Sequence, residues 1–260
     1  MKSMLVDLHS HTTFSDGHSS HTEMYQAAQD KGIAIYGITD HLCFHDNFWT
    51  TPKHRFPEMR DIFREMKLHA NGTKLLFGME VDYVLGCEQE VVRLKEENQW
   101  DYIIGSVHYI GDWNIDSNAE DWVGKDVNAT YAQYYNLLEK MVESRLYHIV
   151  GHFDLPKKYG FHATEDFTPK VAAIGRKIKE ANMAYEINTA GRIKVCNELY
   201  PTPSIVRQLF ELGVDVTLGS DAHHRDNVGQ FFDEALSLLH EVGYRRVCYF
   251  EKGEKRYLDI

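Results

Sequence analysis

Short apolar runs recur along this chain, and a longer amphipathic segment follows nearly every one. The runs are Met4–Leu8, Ile33–Thr39, Lys74–Glu80, Tyr102–Val107, His148–Gly151, Ala184–Asn188 and Val214–Gly219. Apolar runs of strand length, separated by helix-length stretches, suit a parallel sheet built from βα units. The spacing predicts helices over Thr22–Asp30, Pro57–His69, Asn128–Ser144, Thr168–Ala181, Pro203–Leu212 and Val228–Glu241. Thr168-Pro169 and Thr202-Pro203 read as helix starts, because proline is tolerated in the first turn. Asn182-Met183 and Leu212-Gly213 read as helix ends. No Pro/Gly/Ser-rich linker interrupts the series, so residues 1–260 are expected to form one domain. A last run, Arg246–Phe250, is either an eighth strand or a closing edge.

The residues that close each run carry the functional signal, since barrel active sites assemble at the C-terminal ends of the strands. The first run ends in Asp-Leu-His9-Ser-His11, with Asp16 five residues further on. Side chains two apart on a strand share a face, so both imidazoles can reach one metal. The later runs end in Asp40-His41, Glu80-Val-Asp82, His108, His152-Phe-Asp154, Glu186-Ile-Asn188 and Asp221-Ala-His223. A chain with 15 histidines can supply one His-x-His pair by chance. Six histidines and several carboxylates at the same end of successive strands point to a metal site. Asp7, Asp40 and Asp82 flank these positions and are expected to orient an imidazole through its other nitrogen. The longer interruptions, Cys43–Arg55, Tyr109–Val127 and Pro156–Asp166, each follow a strand. Their aromatic residues are expected either to wall a pocket or to anchor surface loops.

Composition narrows the class. A hydrophobic content of 43% is ample for a core, and a net charge of −11 disfavours a basic nucleic-acid groove. No run approaches the ~18 apolar residues of a membrane span, and Met4-Leu5-Val6 is too short for a secretory signal. Four scattered cysteines without C-x-x-C spacing suit a reducing, cytoplasmic setting.

The motifs Asp-Leu-His9-Ser-His11, Ser-Asp16-Gly, Ile-Thr-Asp-His41, Gly-Met-Glu80, Gly-Ser-Val-His108, Gly-His152 and Gly-Ser-Asp221-Ala-His223 resemble the polymerase-and-histidinol-phosphatase (PHP) family. They match in order as well as content, over nearly the whole chain. Within that family, Ile-Ile-Gly-Ser-Val-His, Gly-His-Phe-Asp and Glu-Ile-Asn-Thr-Ala-Gly-Arg look like the stand-alone L-histidinol-phosphate phosphatases. The resemblance implies a distorted, TIM-like (β/α)7 barrel holding two or three divalent metals, zinc, iron or manganese. It implies a first site of His9, His11, Glu80 and Asp221. Glu80 would bridge to a second site completed by His108 and His152, and Asp16, His41 and His223 would form a third corner. Some family members place histidine where this chain has Asp16. Asp16 and His41 are therefore either ligands of a third metal or an acid and base beside two.

Two metals about 3.5–4 Å apart can activate water near neutral pH and clamp the oxygens of an in-line phosphoryl displacement. That suits hydrolysis of a small phosphate monoester, a reaction that positioning and charge neutralisation dominate. Ser106 and Ser220 lie outside any G-x-S-x-G elbow and read as packing or hydrogen-bonding serines. Arg192 is the expected guanidinium for the phosphate, with Lys157 and Lys158 as further cations. Glu186, Asp154, Phe153, Trp49 and Tyr109 are candidate walls for an imidazole-bearing substrate. Three rival readings stand beside this one: a PHP phosphoesterase acting on nucleotides or oligonucleotide ends, an amidohydrolase-type barrel, and a non-catalytic metal-stabilised binding domain. The second is disfavoured, because those barrels typically bridge metals through a modified lysine on the fourth strand, which here ends in His108. A monomer or weak homo-oligomer is expected at this size.

Overall fold

The apolar runs become strands in the computed structural model, which describes residues 5–45 and 48–260. They are β1 (Leu5–Asp7), β2 (Ile33–Ile38), β3 (Lys74–Asp82), β4 (Tyr102–Ser106), β5 (Ile149–Val150), β6 (Ala184–Asn188) and β7 (Asp215–Gly219). All pair in parallel and in chain order. Met4, at the edge of the expected first strand, lies outside the described residues. β1 and β7 join along their ends: the Leu8 N–H donates to the Leu218 carbonyl at 3.0 Å, and the Asp221 N–H to the His9 carbonyl at 2.8 Å. The result is a nearly closed seven-stranded barrel. A two-residue strand, His41–Leu42, adds to β3 with His41 in register with Glu80.

Among the described residues, seven helices surround the strands. They are α1 (His21–Asp30), α2 (Phe56–His69), α3 (Glu88–Asn98), α4 (Val127–Ser144), α5 (Thr168–Glu180), α6 (Pro203–Glu211) and α7 (Phe232–Val242). Ser20 caps α1 through a capping box with Glu23, which fixes its start one residue before the expected Thr22. The sequence reading missed α3. Its apolar stripe is only Val91 and Leu94 on an otherwise charged segment, too narrow to register as amphipathic. Among the described residues, no helix is long and apolar enough to cross a membrane.

Tyr102 fills the barrel interior and donates to the Leu8 carbonyl at 2.7 Å. The neighbouring strands make room with glycine: a Cβ on Gly37 would stand 1.8 Å from the Tyr102 hydroxyl, and one on Gly78 2.6 Å from its ring.

The run at Arg246–Phe250 is neither an eighth barrel strand nor an edge added to the sheet. β8 (Arg246–Glu251) pairs antiparallel with β9 (Glu254–Asp259) as a separate hairpin. It lies under the N-terminal ends of the barrel strands. Glu251 meets Lys74 at 3.0 Å, the Gly253 N–H donates to the Asp101 carbonyl at 2.8 Å, and Lys255 reaches Asp215 at 2.9 Å. The hairpin floors the barrel and leaves the opposite end to the loops. There Trp122 donates to the Ile115 carbonyl at 2.9 Å and stacks on Phe161 at 5.1 Å, tying the second and third long loops together.

Candidate metal centre

Each barrel strand delivers polar side chains to its C-terminal end, and they converge on Glu80. This carboxylate, 1% exposed, faces five imidazoles, with His108 Nε2 the farthest at 3.9 Å. Its Oε2 lies 2.7 Å from His41 Nδ1, 3.1 Å from His9 Nε2 and 3.5 Å from His11 Nε2. Its Oε1 lies 3.0 Å from His152 Nε2 and accepts from the Ser106 hydroxyl at 2.5 Å. Asp221 Oδ1 completes the floor at 3.1 Å from His11 and 3.7 Å from His9. Asp221 adopts φ of 50°, a left-handed conformation that aspartate tolerates better than most residues. On the outer side, Asp16 Oδ1 lies 3.3 Å from His223 Nε2 and 3.5 Å from His41 Nε2.

These donors form three overlapping groups: His9, His11 and Glu80; His41, Glu80 and His108; and His11, Asp16, His41 and His223. Within each group the ligand atoms lie within 4.8 Å of one another. His152 joins the second group through Glu80 Oε1. Three atoms at the centre, His9 Nε2, Glu80 Oε2 and Asp16 Oδ1, are buried without a hydrogen-bond partner. Buried polar atoms are nearly always paired, so converging lone pairs of this kind fit a cation. Nitrogen and oxygen donors without thiolate suit a borderline or hard divalent metal.

The electrostatics agree. Burial pushes the Glu80 and Asp221 carboxyls up, but the surrounding histidines outweigh it and hold both well below the ordinary carboxylate range. Burial likewise raises Asp16, and the neighbouring His223, with the fields of His41 and His11, brings it below its usual value. His11 is pushed down to about 3 by burial and by His41 and His223, so its imidazole is neutral. Asp82 overcomes the burial of His108 and raises it to about 10.

The expected orienting residues sort differently from the sequence reading. Asp82 does hold an imidazole, accepting from His108 Nδ1 at 2.7 Å. Asp7 instead accepts from Ser220 N–H and hydroxyl, at 2.9 and 2.6 Å, and from Gly229 N–H at 3.0 Å. Asp40 accepts from Thr12 N–H at 2.7 Å and the Ser15 hydroxyl at 2.6 Å, and so shapes the loop that carries Asp16. Glu186, expected as a pocket wall, sits fully buried behind His9, with Nδ1 2.9 and 3.0 Å from its oxygens.

A cavity of about 610 Å³ opens above the centre, lined by seven of these ligand candidates and by Trp49, Tyr109 and Tyr200. Trp49 stands edge-on to His41, with ring centroids 4.7 Å apart. Phe153 and Asp154 do not line it: Phe153 is core, and Asp154 is buried against Lys157 at 2.9 Å and Thr202 N–H at 2.9 Å. Nor does Arg192, whose guanidinium lies 3.0 Å from Glu234 and also bonds the Asn197 carbonyl. Its strand-end motif curls into a short 3-10 turn at Ala190–Ile193, which directs the side chain to α7 instead. The cations on the cavity are Lys158 and Lys194. Asp116, also on the cavity, was not singled out from the sequence; it lies in a long loop with no ligand spacing to reveal it.

This fold and donor set define a metal-centred (β/α)7 barrel. A family model described as the PHP domain matches residues 7–190, and the chain belongs to that family. It is 35% identical over 253 residues to a "Probable histidinol-phosphatase" of Deinococcus radiodurans, covering 94% of this chain and 96% of the relative. It is 25% identical over 276 residues to a "Probable phosphatase" of Clostridium botulinum, covering 98% and 93%. In fold it resembles histidinol phosphate phosphatase of Lactococcus lactis, solved with zinc, L-histidinol and phosphate. That likeness has a TM-score of 0.81 at 22% identity, over 97% of this chain and 98% of the other.

Proposed function

We propose that this chain is a metal-dependent phosphomonoesterase that hydrolyses L-histidinol phosphate to L-histidinol and phosphate, a step in histidine biosynthesis. The observation that carries the reading is Glu80: one buried carboxylate shared among histidines that follow β1, β2, β4 and β5, and common to two of the three donor groups. The Deinococcus relative's name and the molecules bound in the Lactococcus protein favour histidinol phosphate over other monoesters. Four free cysteines favour a reducing compartment such as the cytoplasm.

His9, His11, Glu80 and Asp221 would hold one cation, and Glu80, His108 and His152 a second. Asp16, His41 and His223 would hold a third. Divalent zinc, iron or manganese there would neutralise charge on the phosphoryl oxygens and lower the pKa of water. The protein's own groups position that chemistry. Lys158 and Lys194 approach the cavity where an anionic ester would enter, taking the role first expected of Arg192. Trp49 and Tyr109 supply aromatic walls for the imidazole. His41 has Nδ1 on Glu80 and Nε2 toward Asp16, so neither nitrogen is turned to a leaving group. Asp16 is held ionised. The placement of both His41 nitrogens favours a ligand role for that residue, while an ionised Asp16 suits a ligand or a base alike.

The test is phosphate release from L-histidinol phosphate by purified protein, before chelation, after it, and after metal return. Turnover that needs no metal, or a panel in which nucleoside phosphates are cleaved far faster, would refute the assignment.

A further inference from the structure

We infer that Glu186 is a positioning residue that fixes His9 in the one tautomer able to bind metal, and that ties β1, β5 and β7 into a single preorganised centre. The inference rests on the metal reading of the site but not on the substrate.

Both Glu186 oxygens face His9 Nδ1, at 2.9 and 3.0 Å. A carboxylate here accepts from Nδ1, so in the neutral imidazole that a metal would bind the ring proton sits on Nδ1. Nε2 is then left with its lone pair, aimed at the space between Glu80 Oε2 at 3.1 Å and Asp221 Oδ1 at 3.7 Å. Nε2 is one of the buried atoms without a hydrogen-bond partner. The same carboxylate accepts from the His152 N–H at 2.9 Å and from Asn188 Nδ2 at 2.9 Å. The Asn188 amide is itself oriented, because Ala190 N–H donates to its Oδ1 at 3.0 Å. Its Nδ2 therefore donates to Asp221 Oδ2 as well, at 3.1 Å. Glu186 thus sets one ligand by its ring, a second by its backbone and a third through an amide.

The surroundings are built for this side chain. Glu186 is fully buried, and a Cβ on Gly219 of β7 would lie 2.5 Å from its Oε2 and 2.6 Å from the His9 Cβ. The strand behind His9 has given up its side chain so that carboxylate and imidazole can meet. Partners that hold a ligating histidine typically control metal affinity by about 10–100-fold.

The variant Glu186→Gln keeps the volume and can still accept from His152 N–H. Its amide would have to face an acceptor at Nδ1, which moves the ring proton to Nε2, the ligating atom. Two measurements decide the matter. In the zinc-loaded wild type, ¹⁵N NMR of the His9 ring is expected to show a protonated Nδ1 and a metal-bound Nε2. His9→Asn identifies the resonance. Zinc retained against graded chelator is expected to fall about 10–100-fold in Glu186→Gln. Zinc bound through Nδ1 in the wild type, or wild-type retention in a folded Glu186→Gln, overturns the inference. If that variant does not fold, the wild-type spectrum alone decides. Neither readout depends on which phosphate ester is cleaved, so failure here is distinct from failure of the proposed activity.

Discussion

Lys158 Nζ lies 2.6 Å from the Asp116 carboxylate and donates to the Asp116 carbonyl at 2.8 Å, and both residues line the cavity. The lysine is thereby held in one place, its charge half-compensated until an anion arrives. Lys158→Met is expected to lower kcat/KM for L-histidinol phosphate by about ten- to a hundredfold, the range of a charged hydrogen bond. Arg192→Met, which cuts the pairing with Glu234, is expected to change it by less than about threefold. Equal losses in the two variants would restore Arg192 to the phosphate.

Glu80 supports the whole donor set, so its charge matters more than its shape. Glu80→Gln is expected to reduce bound metal and to lower kcat by at least about a hundredfold with the fold intact. Metal content and steady-state rates measured on the same preparation check this. Wild-type turnover in a folded Glu80→Gln protein contradicts the bridging role.

Asp16 separates the two roles left open for it. As a ligand, Asp16→Asn is expected to remove one metal per chain and leave the others in place. As a proton donor or acceptor, it would leave stoichiometry unchanged and abolish one limb of the pH–rate profile. Elemental analysis with a pH series distinguishes these outcomes.

Much of the candidate centre is legible because its donor residues end strands, and strands are short apolar runs with a clear closing residue. His9, His11, Glu80, His108 and Asp221 all declare themselves in this way. What lay hidden depends on where side chains turn after the strand stops. Glu186 reads as a wall because nothing in Glu-Ile-Asn shows that it faces His9, 177 residues away. Arg192 reads as a phosphate ligand because nothing in Ala-Gly-Arg shows the 3-10 turn that carries it toward α7. Asp7 and Asp40 flank histidines in sequence yet hold backbone N–H groups and hydroxyls of neighbouring loops, partners that local sequence does not reveal.

His148 gives the fold a pH dependence remote from the metals. Burial, with the positive field of Lys95, pushes its imidazole down to about 3. Its Nδ1 accepts the Ile103 N–H at 2.9 Å, which occupies the lone pair a second proton would need. The folded state therefore binds fewer protons than the unfolded one below about pH 6.5. Stability from this group is complete above that pH and is lost as pH falls toward 3, about 2 kcal/mol of it by pH 5. Urea titrations at pH 7 and pH 5 are expected to show a smaller drop for His148→Asn than for the wild type. Parallel curves would exclude the effect.

Gly37 tests the packing around Tyr102. Gly37→Ala places a methyl group 1.8 Å from a hydroxyl that is itself fixed on the Leu8 carbonyl. Overpacking of this kind costs about 2–3 kcal/mol, or roughly 5–10 °C in Tm. Adding Tyr102→Phe in the same chain is expected to recover part of the loss. No recovery would place the strain elsewhere.

The hairpin beneath the barrel has a consequence for how the molecule is made. Its bonds to Asp101 and Lys74 span 151 and 177 residues. Residues 246–259 leave the ribosome after every barrel strand. Until they arrive, the lower ends of β3 to β7 lack the carboxylate, amide and lysine partners that seal them. The upper end, where the metals would sit, can be assembled while the lower end is still open to water and to other chains. Closure of the lower end is thus dominated by distant contacts, the kind that form slowly and leave a growing chain exposed to aggregation.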